Sequence, residues 1–197
     1  MSNELKDGVK TFHAKNAKEW RAWLEKNHKS EKNVWLIIYK KESSIPSVYY
    51  DEAVDEALCF GWIDSKPNKR DESSFYQFFA KRNPKSNWSK VNKEKVQRLL
   101  KEKKIAASGM EMIELAKKLG TWDALNDVEN LVIPKDLEAE LNKNKNAKQY
   151  FEEFPKSVKR GILEWILNAK KSETRQKRIT ETVSLAEKNI RANQYRQ

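Results

Sequence analysis

Residues 51–65 read DEAVDEALCFGWIDS, from Asp51 to Ser65. At 100° per residue, Tyr50, Val54, Ala57, Leu58 and Gly61 share one helical face, the spacing of an amphipathic helix. Asp51, Glu52, Asp55 and Glu56 fall on the other side, and acids in a first turn suit the positive end of the helix dipole. Gly61 follows the last periodic residue, where glycine takes a left-handed stop at little cost. Trp62-Ile63-Asp64 then reads as the start of a strand. The stretch predicts a helix, a glycine corner and a strand, with Phe60 and Trp62 holding the corner.

Upstream, residues 1–11 read as a loose lead-in. Asn16 is positioned to cap a helix carrying Ala17, Trp20, Trp23 and Leu24, with Glu19 three residues after the cap. Asn33 to Lys40 is apolar on both alternating faces, which predicts a strand covered on both sides. Downstream, Lys66 to Asp71 reads as a turn and Ser74 to Lys81 as another strand. Three strands and two helices make a small α+β domain with a mostly antiparallel sheet flanked by helices.

Ser89 or Asn92 caps the next helix, with Val96, Leu99 and Leu100 as its core stripe. Ser108-Gly109 reads as its break, and Met110 to Leu119 as a further helix stopped by Gly120. Beyond that point no strand pattern is evident. Helical stripes recur at Leu137 and Leu141, over Asn146 to Phe154, at Val158, Ile162, Trp165 and Ile166, and at Ile179, Val183, Ala186 and Ile190. Pro155 suits a first helical position and Ser172 a cap. The predicted organisation is an α+β domain over residues 1–120 and an all-helical domain over 121–197.

The 197 residues are 38% hydrophobic and 35% charged, and seven Trp, six Tyr and seven Phe supply bulky core material. No apolar run approaches the roughly 20 residues of a membrane span, so no transmembrane segment is expected. The N-terminal residues lack an apolar export signal, and a single cysteine points to a reducing compartment. Cytoplasmic location is the resulting expectation.

The net charge of +11 is unevenly spread. Residues 1–80 carry 13 basic and 13 acidic groups, whereas 81–104 carry ten and two. Residues 105–155 are net acidic, with six and ten, and 156–197 carry eleven and four. Two basic blocks of +8 and +7 invite a nucleic acid or another anionic ligand as partner. Lysine-rich helices also simply keep a surface solvated, and both readings stay open.

Within the first block, Arg82, Lys85, Ser86 and Ser89 surround Trp88 just before a helix N-terminus. Free N–H groups, cations and hydroxyls there suit an anion, and Trp88 would stack on a flat group. The competing reading makes the serines caps and Trp88 a core plug. Arg175 points toward the interior edge of the last helix and needs an acidic or carbonyl partner, or an anionic ligand. Asp51, Glu52, Asp55 and Glu56 form two i, i+4 pairs that suit either a hard cation or a solvated helix face. Cys59 reads as a small buried thiol, and His13 and His28 lie far from it in sequence. No zinc spacing, nucleophile elbow or phosphate-binding glycine loop is present. The expectation is a non-catalytic binding protein without a cofactor, with a protein partner and an uncharacterised enzyme activity as further readings.

Several pieces together resemble the bacterial bacteriocin-protection, YdeI/OmpD-associated family. They are Trp23-Leu24 with Asn27-His28, Glu52-Ala53-Val54, the run Glu56 to Ser65, and Ser86-x-Trp88-Ser89-x-x-Asn92. In the C-terminal part they are Ile133-Pro134-x-Asp136-Leu137, Trp165-Ile166 and Ala169-Lys170-x-x-Glu173-Thr174-Arg175-x-x-Arg178-Ile179. Phe79-Ala80-Lys81-Arg82 departs from the Thr-Pro-Arg-like segment expected there. The resemblance implies a YjbR/CyaY-like α+β domain, a helical domain, and a link to protection against bacteriocins or cationic peptides, or to porins. It also implies kinship with frataxin-like iron chaperones, which hold iron on an acidic helix ridge, so that Asp51, Glu52, Asp55 and Glu56 become the iron candidates.

Overall fold

The computed structural model describes residues 4–193. The chain divides into two compact units, residues 1–123 and 124–197. The first unit is α+β and the second is helical.

The first unit opens with two short strands, β1 (Leu5–Lys6) and β2 (Val9–His13), where the sequence reading placed a loose lead-in. Asp7 and Gly8 join them, both at positive φ, as a two-residue hairpin turn of the primed type requires. The Asp-Gly pair was the available signal, but two flanking residues of β1 give too little alternation to read. Helix α1 (Ala17–Asn27) follows, and the Asn16 side chain accepts from the Glu19 amide as expected. Strand β3 (Asn33–Tyr39) runs parallel to β2, with α1 as the crossover.

Helix α2 (Tyr50–Cys59), strand β4 (Trp62–Lys69) and strand β5 (Ser74–Lys81) come next. The sheet order is β1-β2-β3-β5-β4, antiparallel everywhere except β2–β3. The expected turn at Lys66 to Asp71 is largely strand. A register shift between Asp64 and Pro67 lets β4 continue past a proline, which an edge strand tolerates. Buried Gln77 donates to the Ser65 carbonyl in that irregular segment.

Val34, Leu36 and Ile38 of β3 belong to the main core with Phe79, Trp20 and Leu24. Trp35 and Ile37 point the other way and cluster with Tyr76 and Phe78. The two-faced apolar pattern of β3 therefore serves two separate clusters. Indole N–H groups tie the elements together: Trp20 donates to the Ala53 carbonyl and Trp62 to the His28 carbonyl. Phe12, Trp20 and Trp23 stack in sequence, with centroids 5.2–6.1 Å apart, each pair adding about 0.5–1.5 kcal/mol beyond its area burial.

Helix α3 (Lys90–Lys101) is capped by Ser89 and buries Val96 and Leu99, while Leu100 is exposed. Helix α4 (Ala107–Lys118) begins earlier than the Ser108-Gly109 break suggested. Gly109 does not end a helix. It lets the first turn of α4 lie against α2, where a Cβ would collide with the Cys59 carbonyl oxygen.

The second unit comprises α5 (Asn126–Glu129), α6 (Lys135–Asn142), α7 (Lys145–Glu153), α8 (Lys156–Leu167) and α9 (Ser172–Ala186). Its core joins Leu137 and Leu141 to Phe151, Ile162, Ile166 and Ile179. Pro134 and Pro155 stand just before their helices rather than inside them. Ser172 is the first residue of α9, after Lys171, and Ile190 lies beyond its end and is exposed.

Candidate functional site

The glycine corner borders a concavity. Gly61 takes φ +74° and ends α2, and the Ser108 carbonyl of α4 approaches within 3.0 Å of where a Cβ would stand. The Ala106 amide donates to the Cys59 carbonyl at 2.9 Å and Arg82 N–H to the Gly61 carbonyl at 3.0 Å. The end of α2, the start of α4 and the end of β5 are thereby held by backbone contacts. Beside them opens a cleft of about 320 Å³.

Its walls include buried Phe60 and Trp62, with Met112 and Leu115 from α4. Lys29, Lys81 and Glu111 supply charge, and His28 completes the wall. The Lys81 ammonium donates to the Lys29 carbonyl at 2.7 Å, which holds it beside the cleft. The His28 ring bonds the Leu24 carbonyl through Nδ1 and packs against Phe60, 5.1 Å between centroids. The Ser108 hydroxyl is buried without a hydrogen-bond partner. The arrangement brings apolar side chains together with two lysines and one glutamate. Phe60 and Trp62 were legible as corner residues, but nothing in the sequence ties Lys29 to Lys81, 52 residues further on.

The loop after β5 uses its polar groups internally. Arg82 is 5% exposed, with its guanidinium 3.9 Å from the Trp88 ring centroid and Nη2 donating to the Asn87 carbonyl. Its Nε is buried without a partner, and burial pushes its pKa down to about 10. Trp88 is 2% exposed and also packs against Trp122, so both its neighbours are protein groups. The Ser86 hydroxyl donates to the Asn83 carbonyl, and the Ser89 hydroxyl caps α3. Lys85 is exposed.

Three of the four acids of α2 meet cations, and the fourth bonds a backbone amide. Lys95 bonds Asp55 at 2.9 Å and Asp51 at 3.4 Å, and Arg98 also reaches Asp55. Arg21 binds Glu56 at 2.8 Å, and Glu52 caps its own helix through the Tyr49 amide. Among the described residues no group of three or more His, Cys, Asp or Glu side chains is placed to hold a metal ion. These contacts join Lys95 and Arg98 of the first basic block to the acidic face. Cys59 is fully buried, and burial with nearby Glu56 pushes its thiol up to about 11. The cleft is lined by His28 but not by Cys59.

In the second unit, Arg175 forms a two-point pair with Asp136, at 2.6 and 2.9 Å. This pairing holds the Asp136 carboxyl below its ordinary range. Arg175 also reaches the Ile166 carbonyl at 3.4 Å. Arg178 donates to the Trp165 carbonyl and lies 5.0 Å over the Trp165 ring. Both carbonyls lie in the last turn of α8, where intrahelical donors run out. The two arginines therefore cap α8 from the following helix.

Together these features define a two-unit protein, α+β then helical, with a cleft in the first unit and an arginine clamp in the second. The chain belongs to a family described as a domain of unknown function (DUF8412), whose model matches residues 12–112, just over half of the chain. Residues 130–189 match the family described as bacteriocin-protection, YdeI or OmpD-associated. The first match replaces the expected YjbR/CyaY-like assignment for the N-terminal part, which finds no support, whereas the resemblance of the C-terminal part stands. No curated protein and no solved structure matches the chain. No helix among the described residues is long and apolar enough to cross a membrane.

Proposed function

We propose that this is a non-catalytic binding protein of the bacterial cytoplasm that acts in protection against bacteriocins or other cationic peptides. Its ligand in this reading is an anion with an apolar body, taken into the cleft beside Gly61. The observation that carries the reading is the pairing of Phe60, Trp62, Met112 and Leu115 with the ammonium groups of Lys29 and Lys81 in one concavity. An apolar wall supplies affinity and a few charged groups fix orientation, the usual division of labour in small-ligand sites. The match of residues 130–189 supports the physiological half of the proposal. Nucleic acid is the less favoured partner, because Lys95, Arg98 and Lys104 of the first basic block already face carboxylates.

Binding of decanoate, followed by backbone amide shifts in solution, tests the reading. Shifts centred on Phe60 to Trp62 and Ser108 to Leu115, weakened about tenfold by Lys81→Glu, are expected. No shifts at millimolar decanoate, or binding unchanged in the variant, would overturn it.

A further inference from the structure

A second concavity, of about 310 Å³, lies at the other end of α2, where β3 runs into the loop that precedes the helix. Four aromatic side chains line it: Tyr39, Tyr49, Tyr50 and Phe75. Tyr49 and Tyr50 are 47% and 44% exposed, so their rings contribute little to the core. Neighbours nevertheless hold Tyr50 and Tyr39 in place. The Tyr50 hydroxyl donates to Asp64 at 2.7 Å. Tyr39 meets the His13 ring edge-on at 5.0 Å, and its amide bonds the Ser47 hydroxyl at 3.1 Å. Rings fixed before a ligand arrives lose little freedom on binding.

Lys40 and Lys41 also line this groove. Among the described residues neither forms an ion pair with a carboxylate, unlike Lys95 nearby, which holds Asp51 and Asp55. Lys41 places its ammonium 5.3 Å from the Tyr49 ring centroid. Asp51 contributes an exposed carboxylate to the same groove. Exposed rings, two ammonium groups without carboxylate partners and one acceptor match three parts of one ligand: a flat heterocycle, a phosphate and a hydroxyl or amino donor.

We propose that this groove binds a nucleotide, with the base stacked on Tyr49 and Tyr50, the phosphate between Lys40 and Lys41, and Asp51 accepting from the base or sugar. Base stacking on aromatic side chains tolerates any base, and the groove offers few directional groups, so little base preference follows. The same chemistry belongs to a free mononucleotide and to one residue of a single strand.

The test uses the full chain with adenosine 5′-monophosphate, an eight-residue single-stranded oligonucleotide and inorganic phosphate as separate probes. Amide shifts confined to residues 38–51 and 75 are expected with the first two. Tyr49→Ser removes the ring and leaves a residue suited to the helix cap, and about tenfold weaker binding is expected. Lys40→Gln with Lys41→Gln should weaken binding severalfold and flatten its salt dependence. An oligonucleotide bound at least tenfold more tightly than the mononucleotide identifies a single-strand site, and equal affinities identify a free-nucleotide site. Absence of shifts at millimolar nucleotide, equal shifts with phosphate alone, or full affinity in Tyr49→Ser would overturn the proposal. Unchanged thermal melting of the variants excludes loss of fold as the cause.

Discussion

The corner around Gly61 and the turn between α8 and α9 solve one problem in opposite ways. Each helix end leaves carbonyls without intrahelical donors. At the end of α2 the answer is backbone: Gly61 turns left-handed, and the Ala106 amide meets the Cys59 carbonyl. At the end of α8 side chains take part: Arg178 reaches the Trp165 carbonyl, and Arg175 spans from Asp136 to the Ile166 carbonyl, which also accepts from the Ala169 amide. The backbone solution requires close approach and small residues, and a cleft lies beside it. The side-chain solution fills its surroundings with guanidinium groups and leaves them engaged. Arg175, read as needing an acidic or carbonyl partner or an anionic ligand, meets both Asp136 and the Ile166 carbonyl in the second unit, and the corner that read as purely structural borders the concavity.

Four changes would break or sharpen this contrast. The largest effect is expected from Gly109→Val, because backbone rather than a movable side chain occupies the space. A loss of about 3 kcal/mol or more in denaturant unfolding is expected. A loss below about 1 kcal/mol would mean that the α2–α4 contact gives way easily.

The second change is alkaline pH. Burial raises the Cys59 thiol from its ordinary 9.0 to about 11. The folded state therefore keeps the proton while the unfolded chain releases it. The contribution is complete below pH 9.0 and is lost as pH rises through about 11, to a total of about 3 kcal/mol at most. Comparing the pH dependence of unfolding with that of Cys59→Ala isolates it, and an identical alkaline slope in both proteins would refute a buried neutral thiol.

Third, Arg175→Met and Arg178→Met should each cost about 1–2 kcal/mol, because each removes a charge-assisted cap. A double-mutant cycle between Asp136 and Arg175 should show coupling below about 1 kcal/mol, given that the pair is partly exposed. Neither arginine variant should alter decanoate binding.

The smallest effect is acidic. Arg175 lowers the Asp136 carboxyl below 3.8, so the unfolded chain takes up the proton first. The resulting stability is present above pH 3.8 and disappears as pH falls through the folded value. Asp136→Asn should make the acid limb of the melting-temperature profile shallower, and an unchanged limb would remove the pair from the account.

Much of the fold was readable from local pattern. The Asn16 cap, the β3 run, the α2 stripe and the Gly61 stop each depend on neighbours within a few residues. Strand β2 is not legible locally because its partner β3 lies across a helix, and a parallel pairing leaves no hairpin signature. Gly109 reads locally as a helix break because the contact that requires it comes from Cys59, 50 residues earlier. The candidate cleft was legible only in Phe60, Gly61 and Trp62. Lys29, Lys81 and Met112 are ordinary surface-type residues until the chain brings them together.

The sequence by itself determined the α+β class, the two-part division of helix and sheet, and several helix caps, Asn16 and Ser89 among them, because periodicity and capping act over a few residues. Tertiary structure alone decided which charges are occupied. Asp55 and Arg98 are 43 residues apart, and Asp136 and Arg175 are 39 apart. Folding closes those distances and leaves Lys40 and Lys41 beside exposed tyrosines without carboxylate partners among the described residues. Charge along a chain is additive, but pairing depends on separations in space, which no single residue encodes.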